Sequence, residues 1–568
     1  VTSATQAAIL DESNLANVFE ERAEYLSRAD LMQWTQVTAN DRRILSKLKG
    51  PGAKLLTGPR GSGKSTLLRA AYFGLIDGQE ALPVYVNYAR SLALEPLFRH
   101  NANALQLFRQ WVLMKIVLGV HEACSDAGVT VAASVESVAE EAQAFVDALT
   151  IGGEPPLLSA AVGPATLVRQ LEQWAKDLRR KRVVLLLDDA AHAFSSQQQR
   201  EFFEVFRELR SARVAAKAAV YPGITSYSPY MHVGHEAELI EAWYHPDAED
   251  YLATMRALIE RRIPSSLLRR LEGRDEWIDY LALASFGLPR GLLVMLSQLL
   301  GVEEDETTTP TRKAADTAIA THAQSVRGIF GSLSDKMPRY KHFVEVGSEL
   351  ERAMTRALSR FNDSRSAGRK AVVVGIADPL GPELSKLLDM LEYAGLLRKI
   401  GTVSRGVKGV FHRYEVHYAL VIQENALSLG KSVAVASIVE ALSSRDAHAF
   451  VRTRGTALLG SDFSSRCTLD LAPCQFCGSP RVSDEAQFCM KCGRPLTEAS
   501  IYEELLKAPV SRLPLTDNKI RGLTKYTSIK TVGDILLDDD SREVRKVPYV
   551  GPIWSARIHR YAEEFVSV

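Results

Sequence analysis

The sequence predicts a multidomain α/β protein in which a parallel-sheet core is followed by a helical lid and several small modules. Three observations carry this prediction. Short apolar segments at Lys54–Thr57, Leu82–Asn87, Arg182–Leu187 and Val214–Tyr221 alternate with helical patterns, as parallel strands joined by crossover helices do. The 568 residues exceed what one hydrophobic core serves, and 46% hydrophobic with 24% charged content excludes a disordered or collagen-like chain. No internal repeat is visible, which removes solenoids and propellers.

Composition and punctuation divide the chain. Residues 1–40 read as an N-terminal helical segment, 41–240 as the α/β core and 241–335 as the lid, with the acidic, Thr-rich Val302–Arg312 stretch as a loop or linker. Residues 336–430 read as helix, turn and two-stranded hairpin, 431–470 as a linker with helical character, and 471–498 and 505–568 as two small units. The Trp111–Val120 run is short and interrupted by Lys115, so no membrane span is expected. The first residues lack the basic-then-apolar pattern of a secretory signal, and the expected setting is cytoplasmic. With 69 Lys+Arg against 68 Asp+Glu, any nucleic-acid surface must be local.

The strongest motif is Gly58-Pro59-Arg60-Gly61-Ser62-Gly63-Lys64-Ser65-Thr66, which fits G-x-x-x-x-G-K-S/T between a strand and the Leu67–Tyr72 helix. Such a loop curls until successive N–H groups face phosphate oxygens at the positive end of the helix. Lys64 is placed to reach the β and γ phosphates of ATP, and Ser65 to ligate Mg2+. The bland alternative, a chance glycine loop, is weakened by a second element. The apolar run Arg182–Leu187 ends in Asp188 and Asp189, at the strand end where α/β sheets bind ligands. Asp188 is expected to hold Mg2+ and Asp189 to polarise an attacking water, unless the two only cap the next helix.

These residues resemble the AAA+ superfamily, and within it the origin-recognition initiator and STAND branches, over residues 40–300. The resemblance implies a P-loop ATPase in which Thr225, after Val214–Tyr221, senses the nucleotide and Arg290, in Gly287-Leu288-Pro289-Arg290, touches the γ phosphate. Two departures point to slow turnover: Asp189 stands where many relatives have Glu, and no arginine occurs from Val214 through Met255, where a finger for a neighbouring subunit usually lies. Arg207, Arg210 and Arg213 are substitutes for that finger or simply a solvated helix face.

Downstream, Glu383–Leu397 has helical spacing and leads into a charged, glycine-containing hairpin with Arg398, Lys399, Arg405, Lys408 and Arg413. This looks like a winged helix, in which a basic wing follows the backbone of double-stranded DNA; a protein-docking wing is the alternative. Cys474-x-x-Cys477 and Cys489-x-x-Cys492, each pair followed by glycine, have the spacing of a four-thiolate structural Zn2+ site resembling a zinc ribbon. Disulfides are the competing reading. The segment from Leu513 to Ile558, with Val547-Pro548-Tyr549-Val550-Gly551, resembles a helix-hairpin-helix domain, although Tyr549 replaces its first glycine. The resulting expectation is an ATP-dependent, DNA-associated switch in replication, mobile-element or phage-defence work, with a protein partner or effector and self-assembly as a further option. A signalling STAND ATPase with protein-binding modules, or an ATP-binding transcription regulator, are the alternatives.

Overall fold

The structure is a computed structural model that describes residues 18–19, 23, 26–35, 38–88, 94, 103–130, 133–150, 155–158, 162–189, 196–301, 310–366, 370–430, 433–443, 449–483, 486, 488–496, 501–538, 540–548 and 550–566. The residues 302–309 read as linker, most of the N-terminal segment before Ser27 and Tyr549 lie outside them.

The first body is a five-stranded sheet of β1 (Lys54–Thr57), β2 (Ala81–Asn87), β3 (Arg182–Asp188), β4 (Val214–Val220) and β5 (Glu238–Glu241), in the order β2-β3-β4-β1-β5. Every pairing is parallel. Val183 through Leu187 have no exposed surface, so β3 is covered on both faces by the crossover helices that parallel pairing requires. β5 is not legible in the sequence, because Glu-Leu-Ile-Glu is too short to show a period. Lys115, which interrupts the apolar run of the Ala104–Asp126 helix, donates to Asn87 O at 2.6 Å.

A second core, which takes in Val18, Phe19 and Tyr221 and then residues from Trp243 to Cys467, is shared between the lid and a second, smaller sheet. The Trp277–Leu300 pattern is two helices, Asp275–Ala284 and Pro289–Leu299, because Phe286 and Gly287 take left-handed φ of 57° and 76° between them. Helix Lys341–Asn362 then backs the second sheet, made of β6 (Val373–Ala377), β7 (Leu397–Ser404), β8 (Val410–Val416) and β9 (Val451–Thr453) in the order β7-β8-β6-β9. The segment read as linker therefore supplies β9, parallel to β6. The last residues, from Leu505 to Val566, close a small helical core of their own. Among the described residues no helix is long and apolar enough to cross a membrane.

Lys217 stands in the middle of β4 with no exposed surface, and its ammonium donates to the Gly52 and Pro51 carbonyls. Burial, with Lys54 and Arg182 nearby, pushes its pKa down to about 7 from an ordinary 10.5. Between those values the unfolded chain holds this proton and the folded chain has released it, so this group makes stability fall as pH drops through that window. In Lys217→Met the rise in thermal midpoint between pH 7 and pH 10 is expected to shrink, which calorimetry checks.

Candidate nucleotide site and metal centre

From β1 the chain turns through Gly58 to Gly63 into the Lys64–Gly78 helix. A Cβ on Gly58 would stand 2.6 Å from Ser62 Oγ and 2.7 Å from Ala242 O, so the loop closes only around a glycine. Ser62 Oγ is buried without a hydrogen-bond partner among the described residues. A hydroxyl so placed costs about 1–3 kcal/mol, which an acceptor such as a phosphate oxygen would offset. Ser65 and Thr66, half-buried, open the helix. Lys64 is 5% exposed and folds back onto Gly58 O (2.8 Å) and Pro59 O (3.1 Å), with its ammonium 3.8 Å from the centre of the Tyr221 ring. Burial pushes its pKa down to about 7, against the opposing pull of Asp189 and Asp188.

Both carboxylates are thus within electrostatic reach of the loop. Asp188, fully buried at the end of β3, accepts from Tyr85 Oη at 2.8 Å and from the Asp189 amide at 3.0 Å. Asp189 accepts from Tyr221 Oη at 2.9 Å. Tyr221, the first residue beyond β4, therefore touches both Lys64 and Asp189. No sequence motif marks it; the one available signal is a hydroxyl-bearing side chain directly at a strand end. Thr225, the residue expected in that position, lies four residues further on. Its hydroxyl donates to Tyr221 O (2.7 Å) and accepts from Tyr221 N (3.1 Å), closing its own turn.

The lid is seated by backbone contact. A Cβ on Gly287 would lie 1.7 Å from Tyr244 O, while Trp243 Nε1 donates to Phe286 O at 2.8 Å. Pro289 then starts its helix and lays Arg290 over the loop, its Cβ 3.3 Å from where a Gly61 side chain would begin. Arg290 Nη1 and Arg60 Nη2 converge on Glu564 Oε1 of the C-terminal helix Pro552–Val566, at 3.2 and 2.5 Å. Beside the loop, Leu31, Trp34, Ile44, Trp243 and Leu258 wall a pocket floored by Ser62, Gly63 and Thr66. Its mostly apolar lining, with buried Asp41 held by Tyr244 Oη at 2.9 Å, has the character of a site for a flat heterocycle. These wall residues are ordinary core types scattered along the chain, so no local pattern announces them.

The hairpin arginines diverge. Arg398, expected as a DNA contact, is 4% exposed, and its guanidinium is held by Glu415 (2.9 and 2.6 Å) and by Asp247 of the lid. Arg413 is half-buried with Nη2 at 3.5 Å from Ile400 O, Arg405 lies over the Phe450 ring, and Lys399 is exposed. The Lys408 side chain lies outside the described residues. Of the finger substitutes, Arg207 pairs with Glu204 at 2.9 Å and Arg210 with Glu236 at 3.2 Å.

Cys474, Cys477, Cys489 and Cys492 bring their sulfurs within 4.8 Å of one another as free thiols. Each pair forms the same tight knuckle: Gly478 N donates to Cys474 O and Gly493 N to Cys489 O, both at 2.8 Å. The Sγ separations of 3.6 Å (Cys474–Cys492) and 3.5 Å (Cys477–Cys489) approach the roughly 3.8 Å edge of a tetrahedron with ~2.3 Å Zn–S bonds. The donor set therefore fits Zn2+, with all four positions filled by protein. Metal analysis of the purified protein is expected to find about one zinc per chain, lost in C474S/C477S.

No protein-family model and no curated protein matches the chain. Solved structures with partial likeness include the Walker-type ATPase PABY2304 of Pyrococcus abyssi, at 15% identity and TM-score 0.38, over 72% of this chain and 100% of that one. The Aeropyrum pernix ORC1 protein in complex with DNA is similar at 16% and 0.29, over 69% and 92%. Drosophila ORC bound to DNA is similar at 13% and 0.28, over 68% and 95%.

Proposed function

We propose that the chain binds ATP with Mg2+ and works as a slowly hydrolysing, nucleotide-controlled switch on double-stranded DNA. The observation that carries this reading is the convergence of the Gly58–Thr66 loop, with its buried Ser62 hydroxyl, and the Asp188–Asp189 pair at the end of β3. In this reading the loop amides and Lys64 bind the phosphates, and the apolar pocket holds the base. Ser65 and Asp188 would hold Mg2+, which when bound neutralises charge developing between the β and γ phosphates. Asp189 orients the attacking water, and its short stem and its hydrogen bond from Tyr221 keep that base restrained, consistent with slow turnover.

The switch follows from Glu564. Its carboxylate engages two guanidiniums, Arg60 within the phosphate loop and Arg290 over it, so a γ phosphate and the C-terminal helix compete for the same cations. ATP then favours the arrangement in which the C-terminal helix has let go, to the extent that the two arrangements differ in affinity. The alternative of an arginine finger from Arg207 or Arg210 is less favoured, since both are held within the chain.

Lys64→Ala is expected to weaken ATP binding by about tenfold or more in a fluorescent-nucleotide titration, and wild-type affinity would reject the site. Asp189→Asn is expected to abolish turnover while ATP still binds. Glu564→Gln is expected to tighten ATP binding by about threefold to tenfold, with ATP raising hydrogen exchange in Pro552–Val566 of the parent protein.

A further inference from the structure

Helix Lys341–Asn362 carries Arg352, Arg356 and Arg360 at successive i, i+4 positions, all exposed, on one face. Arg365 comes next with its guanidinium 4.0 Å from the Phe361 ring centre, and Arg452 on β9 lies 5.1 Å from that of Phe450. Arg356, Arg360, Arg365 and Arg452 line a single open groove of about 750 Å³ between this helix and β9. Ala353, Ala357 and Leu458 give it a low apolar floor. Among the described residues none of these arginines forms an ion pair. The helix's own acids are directed elsewhere: Glu345 lies 3.4 Å from His342, Glu349 pairs with Arg466 at 2.9 Å, and buried Glu351 with Arg327 at 3.0 Å. Asp363, exposed at the helix end, acts on Lys370.

Like charges at i, i+4 oppose helix formation, so the charges of this row do not serve the helix itself. Its steps of ~6 Å, four residues at about 1.5 Å each, suit a chain of repeated monoanions better than one compact anion, for which the cations would converge on a point. Every cation in the groove is an arginine, whose flat fork pairs with phosphate oxygens in twos. The Phe450 ring that carries Arg452 also carries Arg405, at 5.4 Å, which joins the groove to the β7–β8 hairpin.

We propose that this arginine groove, rather than the wing alone, is where the chain grips the phosphodiester backbone of nucleic acid. It rests on the reading of the protein as DNA-associated and assigns that association a surface, with the low floor letting a strand pass close to the helix. An acidic protein segment is the competing occupant.

The test is fluorescence anisotropy of the full-length protein with a labelled duplex and a labelled single strand, titrated across salt concentrations. R356A/R360A and, on a separate element, Arg452→Ala are each compared with Lys181→Ala, a charge change at an exposed residue just before β3. The double variant is expected to bind about tenfold or more weakly, and its log–log salt slope on duplex to flatten by roughly 0.9 for each phosphate it no longer neutralises. Arg452→Ala is expected to weaken binding less in the same direction, and Lys181→Ala to match the parent. ATP binding, read separately, establishes that each variant is folded. Groove variants that keep parental affinity and slope overturn the assignment while leaving the DNA-associated reading standing. Displacement of the duplex by poly-glutamate at equal charge overturns it in favour of an acidic protein partner. A folded, ATP-binding parent that holds neither duplex nor single strand overturns both.

Discussion

Close approach of backbone to backbone around the phosphate loop is the constraint on which the rest of the structure depends. Gly58 lies against Ala242 O, Gly287 against Tyr244 O, and a side chain on Gly61 would meet Arg290. Gly395, at the end of the helix that precedes β7, sits beside Leu288 and Pro59. The core, the lid and the β6–β9 unit therefore meet at one short loop, where glycines let the main chains draw close. Tight packing of this kind leaves little room for a side chain at any of these glycines.

Charge at this junction is balanced within the chain. Lys64, Arg60 and Arg290 face Asp188, Asp189 and Glu564, and Tyr221 ties Lys64 to Asp189 through its ring and its hydroxyl. The cations around the loop are thus already engaged with the protein's own groups, two of them with a carboxylate from the far end of the sequence. In the proposed switch a polyanionic ligand enters by exchange of partners, which would couple the loop to the C-terminal helix. Internal pairing recurs at Arg398, whose bonds to Glu415 and Asp247 fasten the lid to the second sheet. A buried pair like this is costly to break from one side, which gives that arginine a structural task instead of a place on the surface.

The opposite holds where charge is exposed and, among the described residues, pairs with no carboxylate. The arginines of the Lys341–Asn362 helix and of β9 lie close together only because β9 adds to β6 in parallel, bringing residues 451–453 alongside the helix. Neither segment alone looks like a binding element. Their juxtaposition depends on a three-residue strand whose period is too short to read.

The sequence by itself determined the elements whose chemistry is local. The glycine loop before Lys64, the apolar strand ending in Asp188 and Asp189, the Gly287-Leu288-Pro289-Arg290 turn and the paired cysteines are each written in a few contiguous residues, because turns, strand ends and metal knuckles need particular residue types at fixed short spacing. Tertiary structure decided everything that depends on which distant segments meet. It made Tyr221 rather than Thr225 the strand-end partner of Asp189, buried Arg398, brought Glu564 to the phosphate loop and assembled the apolar pocket and the arginine groove. Burial and partnership of a charge are set by the whole fold, and a charged side chain reads the same in sequence whether it ends in water, in an ion pair or against a ligand.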